Sequence, residues 1–270
     1  MEMDTRRNRA VKRWRLERCE EIYRHPTKAV FSAESEQFGP VILKIDKNTS
    51  QLKSEYRMLA GLSGSHSCKV YAYDESEGLL LEERIFPGTV LREEPSLEKR
   101  VRIFVQVFRE IHKPAEEGET YLDWLERICE YCERKPLAEE VAGEASRARG
   151  FCAEMFGKYP DRMLLHGDLH HDNLLLRTDG SYAMIDTKGV IGPAILDLPR
   201  FLLNEQDTNH ASPDREHIQE AIGLVAWHTG YPEADIRKLF YMETVLENVW
   251  RVEDGDEMNQ HEMEIARSFL

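Results

Sequence analysis

Met163-Leu164-Leu165, then His166-Gly167-Asp168-Leu169-His170-His171-Asp172-Asn173, then Leu174-Leu175-Leu176 is an apolar run, a polar loop and a second apolar run. Short hydrophobic runs flanked by polar residues read as strands, so the polar block sits in a strand–loop–strand context. Asp186 follows Asp168 by eighteen residues and closes a third apolar run, Ala183-Met184-Ile185, so residues 163–186 form a β-rich insert. Toward the N-terminus, strand-like runs lie at Ala29–Ala33 and Pro40–Ile45, a helical segment at Ser50–Leu62, and two more strands at Lys69–Asp74 and Leu79–Ile85. Phe86-Pro87-Gly88 breaks this β-β-α-β-β pattern. Beyond it helices dominate: Leu97, Val101, Phe104, Val105, Phe108 and Ile111 recur at helical spacing, Tyr121–Arg134 is helical, Ser212-Pro213 is a helix start and Gly230 a stop. The fold class is α+β, with a small antiparallel-sheet lobe over residues 1–86 and a larger helical lobe over residues 87–270.

Phosphoryl transfer to a hydroxyl needs these residue types at this spacing. A carboxylate must orient the hydroxyl and take its proton, and metal ions bridging the phosphates need oxygen ligands. The kinase catalytic loop supplies both, as His-x-Asp with an Asn five positions after the Asp. Asp168 is the expected catalytic base and Asn173 stands five residues on. Asn173 and Asp186 are the expected ligands of Mg²⁺, which prefers oxygen donors and keeps several waters. His170 and His171 could suggest a metal, but adjacent residues rarely point at one ion, so structural hydrogen bonding is the expectation.

The loop, together with Ile185-Asp186-Thr187-Lys188-Gly189-Val190-Ile191-Gly192 and Asp197-Leu198, resembles the aminoglycoside phosphotransferases. The resemblance is strongest to the streptomycin 6-kinase and hydroxyurea phosphotransferase branch, which typically reads HGDLHHGN, IDPKGVVG and then a DL pair. It is close over residues 164–204 and weaker through the small lobe. Asp172 stands where Gly is usual and Thr187 where Pro is usual, and neither change touches an expected catalytic side chain. The resemblance implies a protein-kinase-like two-lobed fold, a nucleotide cosubstrate (ATP or GTP) with Mg²⁺, and a small-molecule acceptor, an aminoglycoside such as streptomycin or else hydroxyurea. A choline- or sugar-type metabolic kinase is a rival within this class. It also implies that His166 and Asp197 support the loop, Asp197 through backbone amides.

Val41-Ile42-Leu43-Lys44 matches the apolar strand whose lysine meets the nucleotide phosphates, with Glu55 in the next helix as its ion-pair partner. A strand lysine and a helix glutamate can equally be plain surface. Leu79–Ile85 resembles the kinase hinge, which makes the Glu82 carbonyl and the Arg84 amide candidates for pairing with adenine; an ordinary edge strand also fits. Pro26-Thr27-Lys28, at the place of the phosphate-covering loop, has no glycine, so contacts to the terminal phosphate are unassigned. Lys188 could approach phosphate or pair with a carboxylate. A catalytically idle nucleotide-binding module is the reading from another class, and the presence of Lys44, Asp168, Asn173 and Asp186 together argues against it.

A chain of 270 residues, 41% of them apolar, can bury a core of this size. No run nears the roughly 20 apolar residues of a membrane span, and the basic start has no apolar stretch behind it, so no membrane partner and a cytoplasmic location are expected. Arg6–Tyr23 reads as a basic amphipathic helix whose role is open. The five cysteines are few and odd in number, which suits reduced thiols; Cys129 and Cys132 form a CxxC inside a helical pattern, with metal or redox chemistry the minor alternative. The net charge of −14 disfavours nucleic acid. Residues 1–48 carry eleven basic and eight acidic side chains, whereas residues 197–270 carry six and sixteen, a balance of −10. That acidity suits a cationic acceptor, with Glu253 and Asp254 as candidates for holding its amines, although a solubilising surface would have the same composition.

Overall fold

The structure is a computed structural model that describes residues 2–62, 66–135, 139–205 and 215–270. In chain order it comprises helix α1 (Glu2–Trp14), strands β1 (Leu16–Arg24), β2 (Lys28–Ser35) and β3 (Gly39–Asp46), helix α2 (Thr49–Gly61), strands β4 (Val70–Asp74), β5 (Leu79–Glu83) and β6 (Pro87–Val90), helix α3 (Leu97–Ile111), strand β7 (Lys113–Pro114), helices α4 (Tyr121–Arg134) and α5 (Glu139–Lys158), strands β8 (Met163–Leu165), β9 (Leu174–Arg177), β10 (Tyr182–Met184) and β11 (Val190–Gly192), and helices α6 (Pro199–Glu205), α7 (Arg215–Thr229), α8 (Glu233–Asp254) and α9 (Gln260–Arg267). Two units result, Met1–Val90 with Leu174–Gly189, and Leu91–Asn173 with Val190–Leu270.

The first unit is built on an antiparallel sheet of order β1-β2-β3-β5-β4. Alternation along β3 sends Val41, Leu43 and Ile45 to one face, where they join Ala29, Phe31, Leu79 and Leu81 under Met3 and Ala10 of α1. Full burial of each large apolar side chain stabilises this layer by ~1.5–3 kcal/mol. The same alternation sends Lys44 and, from the paired strand, Glu82 to the opposite face. Leu174–Gly189 belongs to this unit because β9 pairs with β6 on one side and β10 on the other. A division into 1–86 and 87–270 gives each lobe one continuous stretch; long-range strand pairing instead carries the first unit across two.

The helix expected over Arg6–Tyr23 is a correction. It stops at Trp14, Arg15 takes φ 50°, and the chain continues as strand β1. Only Leu16 of β1 is buried, and its other side chains are exposed or half-buried, as an edge strand held by backbone pairing to β2 allows. Such a strand carries little hydrophobic alternation, so its sequence is easily read on into the preceding helix. The arginines of α1 serve the unit itself: Arg6 donates to the Glu77 carbonyl at 3.0 Å, Arg9 pairs with the Glu77 carboxylate at 2.6 Å, and Arg13 pairs with Asp74.

In the second unit α3 begins at Ser96, whose side chain accepts from the Lys99 amide, and its apolar stripe of Val101, Phe104, Val105 and Phe108 is buried. Helix α8 carries a long buried face and packs against α4, α5, α6, α7 and α9. Strands β11, β8 and β7 form a small antiparallel sheet at the base of the loop that follows β8. The β-rich insert expected over residues 163–186 is therefore divided, β8 pairing in the second unit and β9 and β10 in the first. The helix start expected at Ser212-Pro213 lies outside the described residues. Helix α7 ends at Thr229, and Gly230, at φ 83°, donates its amide to the Ala226 carbonyl at 2.8 Å, a helix stop of the kind glycine favours. Among the described residues no helix is long and apolar enough to cross a membrane.

Candidate active site

The loop after β8 is held from below by one buried carboxylate. Asp197 accepts the His166 amide at 2.8 Å and the Gly167 amide at 2.7 Å, and the His112 ring lies 2.9 Å from it. Gly167 has φ 75°, a left-handed turn that glycine adopts without strain and that lets both amides face the same carboxylate. The His166 ring accepts the Asp168 amide at 3.2 Å, and the Asn173 side-chain nitrogen donates to the Asp168 carbonyl at 2.9 Å. These bonds fix the backbone of the loop and leave the half-buried Asp168 side chain to neighbours of its own. Asn173 has its amide nitrogen committed inside the loop, which leaves its side-chain oxygen as the atom it offers to a cation.

The Arg200 guanidinium, on α6, lies 3.5 Å from Asp168 and is itself gripped by Glu243 at 2.8 Å and Glu247 at 2.7 Å. Burial works against this cation, but the charges of Glu243, Asp168 and Glu247 outweigh it and raise its pKa further. Glu243 also accepts from the buried Tyr121 hydroxyl. The His170 ring stands 3.6 Å from Asp168, yet burial drives its pKa down to about 4 against the pull of Asp168 and Asp172, so it is neutral at pH 7. The two histidines part company in space: His171 points inward to Glu205 at 2.7 Å, which Arg100 also holds with two bonds, at 2.8 and 2.7 Å. Asp172 is gripped by Arg92 through two 2.7 Å bonds. Such bidentate pairs are strong, and this one anchors the side chain at the position where related loops carry glycine.

In the first unit, Lys44 is buried against Glu55 of α2 at 2.5 Å and Glu82 of β5 at 3.0 Å, with Asp186 at 3.5 Å. Burial opposes the Lys44 ammonium, but those three carboxylates raise its pKa well above the usual value. Asp186 holds a left-handed backbone, φ 56°, a conformation uncommon outside glycine and often found at functional sites. Its carboxylate also meets Lys28 at 2.8 Å and Lys188 at 3.6 Å. Burial pushes its pKa up, but Lys44, Lys188 and Lys28 together hold it below the ordinary range. A carboxylate held ionised by three ammoniums is a fitting donor for a hard divalent ion such as Mg²⁺. Gly189, at φ 65°, seats this segment on α2, because a Cβ there would meet the Ser54 carbonyl oxygen at 2.6 Å, an approach only glycine permits.

The hinge expectation needs correction. β5 is an interior strand, and Glu82 is paired with Ile42 of β3 on one side and Val70 of β4 on the other, so its backbone belongs to the ladder. The Arg84 amide donates to the Pro40 carbonyl at 3.3 Å, which extends the ladder one residue past β5. What sequence reading missed in Glu82 is its side chain, a third carboxylate on Lys44. Burial, only partly offset by Lys44, raises its pKa to about 7. The sign follows. From about pH 4.3, where an unfolded Glu ionises, up to about 7 the folded state keeps the proton more tightly. Glu82 therefore adds stability at low pH that is lost as pH rises through that window. Glu82→Gln should be more stabilised relative to wild type at pH 8 than at pH 5, as measured by thermal unfolding at the two values.

Glu253 and Asp254 are exposed at the end of α8, where with Glu247, Trp250, Arg251 and Asp256 they line an open recess of about 430 Å³. Glu247 is thus common to the recess and to the Arg200 cluster, and the Trp250 ring centre lies 5.8 Å from the Arg200 guanidinium carbon. No motif announces Arg200, Glu243 or Glu247. The −10 balance of the segment is the only trace of the two glutamates in the sequence. Cys129 and Cys132 lie on α4 with their thiol pKa values raised by burial, and among the described residues no group of three or more His, Cys, Asp or Glu is arranged to hold a metal.

Residues 13–255 match the family described as aminoglycoside/hydroxyurea antibiotic resistance kinase. A streptomycin 3''-kinase from Klebsiella pneumoniae is 25% identical over 254 residues, covering 91% of this chain and 92% of the relative. Among solved structures, a choline/ethanolamine kinase family protein from Mesorhizobium loti is similar with TM-score 0.69 and 16% identity, over 100% of this chain and 95% of the other. A thermostable mutant of aminoglycoside phosphotransferase APH(4)-Ia, in ternary complex with ADP and hygromycin B, has TM-score 0.66 and 14% identity, over 97% and 95%. Choline kinase LicA from Streptococcus pneumoniae has TM-score 0.66 and 14% identity, over 99% and 96%. At these identities the structural matches speak for the fold, which is protein-kinase-like.

Proposed function

We propose that this chain, which belongs to the aminoglycoside/hydroxyurea antibiotic resistance kinase family, transfers the terminal phosphate of ATP, with Mg²⁺, to a hydroxyl of a cationic aminoglycoside such as streptomycin. The observation that carries the choice of acceptor is the Arg200 cluster. One buried arginine reaches Asp168 at 3.5 Å and Glu247 at 2.7 Å, and Glu247 lines the acidic recess with Glu253 and Asp254. The expected base and the carboxylates able to receive guanidinium or ammonium groups are therefore neighbours in one unit.

In this reading Asp168 orients the acceptor hydroxyl and takes its proton as the oxygen bonds to the terminal phosphorus and the bond to the departing diphosphate breaks. Arg200 keeps the Asp168 carboxylate in place, and Asp197 keeps the loop backbone in place beneath it. Lys44, set by Glu55, meets the nucleotide phosphates. Asp186 in the first unit and the Asn173 side-chain oxygen in the second would each offer an oxygen donor to Mg²⁺, which when bound would neutralise charge on the phosphates.

A phosphorus NMR assay with ATP and a panel of streptomycin, other aminoglycosides, hydroxyurea and choline tests the proposal. The expected result is a new phosphomonoester on an aminoglycoside. Product from hydroxyurea alone would reject the cationic acceptor and keep the kinase. Product from choline alone would favour the metabolic alternative, for which the Trp250 ring beside carboxylates is also a suitable quaternary-ammonium site. Salt gives a second check. The Debye length is about 8 Å at 0.15 M ionic strength, so KM for the aminoglycoside should climb as salt rises, with a smaller change in kcat. Glu253→Gln combined with Asp254→Asn should blunt that climb, and a flat salt response in wild type would exclude the recess as the cation site.

A further inference from the structure

Pro26-Thr27-Lys28 occupies the place where a phosphate-covering loop uses glycines, yet it has none. What stands there instead is a lysine pair. Lys28 opens β2 and reaches Asp186 at 2.8 Å, and Lys188, two residues after Asp186, reaches the other carboxylate oxygen at 3.6 Å. Both lysine side chains keep access to solvent, 26% exposed for Lys28 and 33% for Lys188, and so does Asp186 at 30%. Lys44 differs, being 5% exposed and already matched by Glu55 and Glu82. Asp46 lies close enough for both solvent-facing lysines to act on its carboxyl, but burial raises its pKa, so it is the weaker counterion. The Lys188 backbone is fixed, its carbonyl accepting from Gln51 at 3.4 Å beside Gly189 packed on Ser54, so the side chain projects from a rigid base.

We infer that Lys28 and Lys188 form a polyphosphate-binding pair that replaces the glycine-rich loop, held by Asp186 until a divalent cation takes that carboxylate. The inference rests on the nucleotide-kinase reading above. Its logic is an exchange of partners. Lys28 and Lys188 would give up the Asp186 carboxylate to a divalent cation bound there. A triphosphate remains net negative with one such cation bound, so it arrives with the anionic oxygens that the two ammoniums then need. Ammonium–phosphate bonds are charge-assisted, and unlike backbone amides they need no glycine to let the chain approach.

Titration calorimetry of ATP, ADP and adenosine into wild type, Lys28→Met, Lys188→Met, the double variant and Lys28→Arg, each with Mg²⁺, tests this. Each methionine variant should bind ATP about 10-fold more weakly, since a hydrogen bond to a charged group contributes at least that factor, and the double variant more weakly still. Adenosine affinity should be unchanged in all, which also shows that the variants fold. Lys28→Arg should retain most of the ATP affinity, and ATP binding by the double variant should depend less on salt. ATP affinity of the double variant within twofold of wild type would overturn the pair while leaving the kinase reading standing. No ATP binding by wild type would overturn both.

Discussion

Asp168→Asn and Asp168→Ala are expected to abolish phosphate transfer while leaving ATP affinity near that of wild type. A positioned general base contributes about 10²–10⁴-fold in rate, and the asparagine keeps the shape of the carboxylate without its ability to take a proton. Neither variant should disturb the loop. The bonds that hold its backbone run through Asp197, the His166 ring and the Asn173 side-chain nitrogen, none of which uses the Asp168 side chain. Arg200 keeps Glu243 and Glu247 at 2.8 and 2.7 Å as counterions, so the buried guanidinium is not stranded. Nucleotide affinity is attributed to Lys44 and its neighbours in the other unit. Turnover and ATP affinity should be measured on the same preparations, and near-normal turnover in Asp168→Asn would remove Asp168 as the base.

Asp186→Ala and Asp186→Asn should have opposite effects with and without the metal. With Mg²⁺, ATP affinity should fall by at least about 10-fold, because losing even a residue that only orients a metal ligand costs roughly 10–100-fold in metal affinity. Asn173→Ala should weaken Mg²⁺-dependent binding by a smaller factor. Without Mg²⁺, removal of the carboxylate leaves Lys28 and Lys188 without the counterion that lies 2.8 and 3.6 Å from them, so metal-free ATP should bind more tightly than to wild type. Asp186→Asn is the cleaner variant, since the backbone there has a left-handed φ of 56°, which asparagine tolerates. Calorimetry with Mg²⁺ and with a chelator decides. Wild-type binding of Mg·ATP by either variant would move the metal to another residue.

The candidate catalytic block could be picked out without coordinates because its pattern is local: the proposed base, asparagine and metal carboxylate are found by counting residues along consecutive short strands. The strands carrying Lys44 and Glu82, the helix carrying Glu55, helices α3 and α4 and the stop of α7 were equally legible, since apolar period and turn residues are properties of neighbouring positions. Strand β1 was not, because an exposed edge strand owes its conformation to backbone pairing with β2 rather than to its own side chains. The hinge was misplaced by the same cause. How far the β3–β5 ladder runs depends on the register of two strands some forty residues apart, and the Arg84 amide is taken by Pro40 only in that register.

By itself, then, the sequence determined the β-β-α-β-β plan and the loop, and it singled out Lys44, Glu55, Asp168, Asn173 and Asp186 as candidates. Tertiary structure alone decided their partners beyond the expected Lys44–Glu55 pair. Glu82 turned from a hinge carbonyl into a third carboxylate on Lys44, Arg200 joined Asp168 to Glu247, and Lys28 and Lys188 met at Asp186. The physical reason is that charge acts through space. Residues 28 and 186, or 168 and 247, have no spacing rule to connect them along the chain. They interact because strand alternation and helix packing bring their side chains within ion-pairing reach of one another or of a common partner.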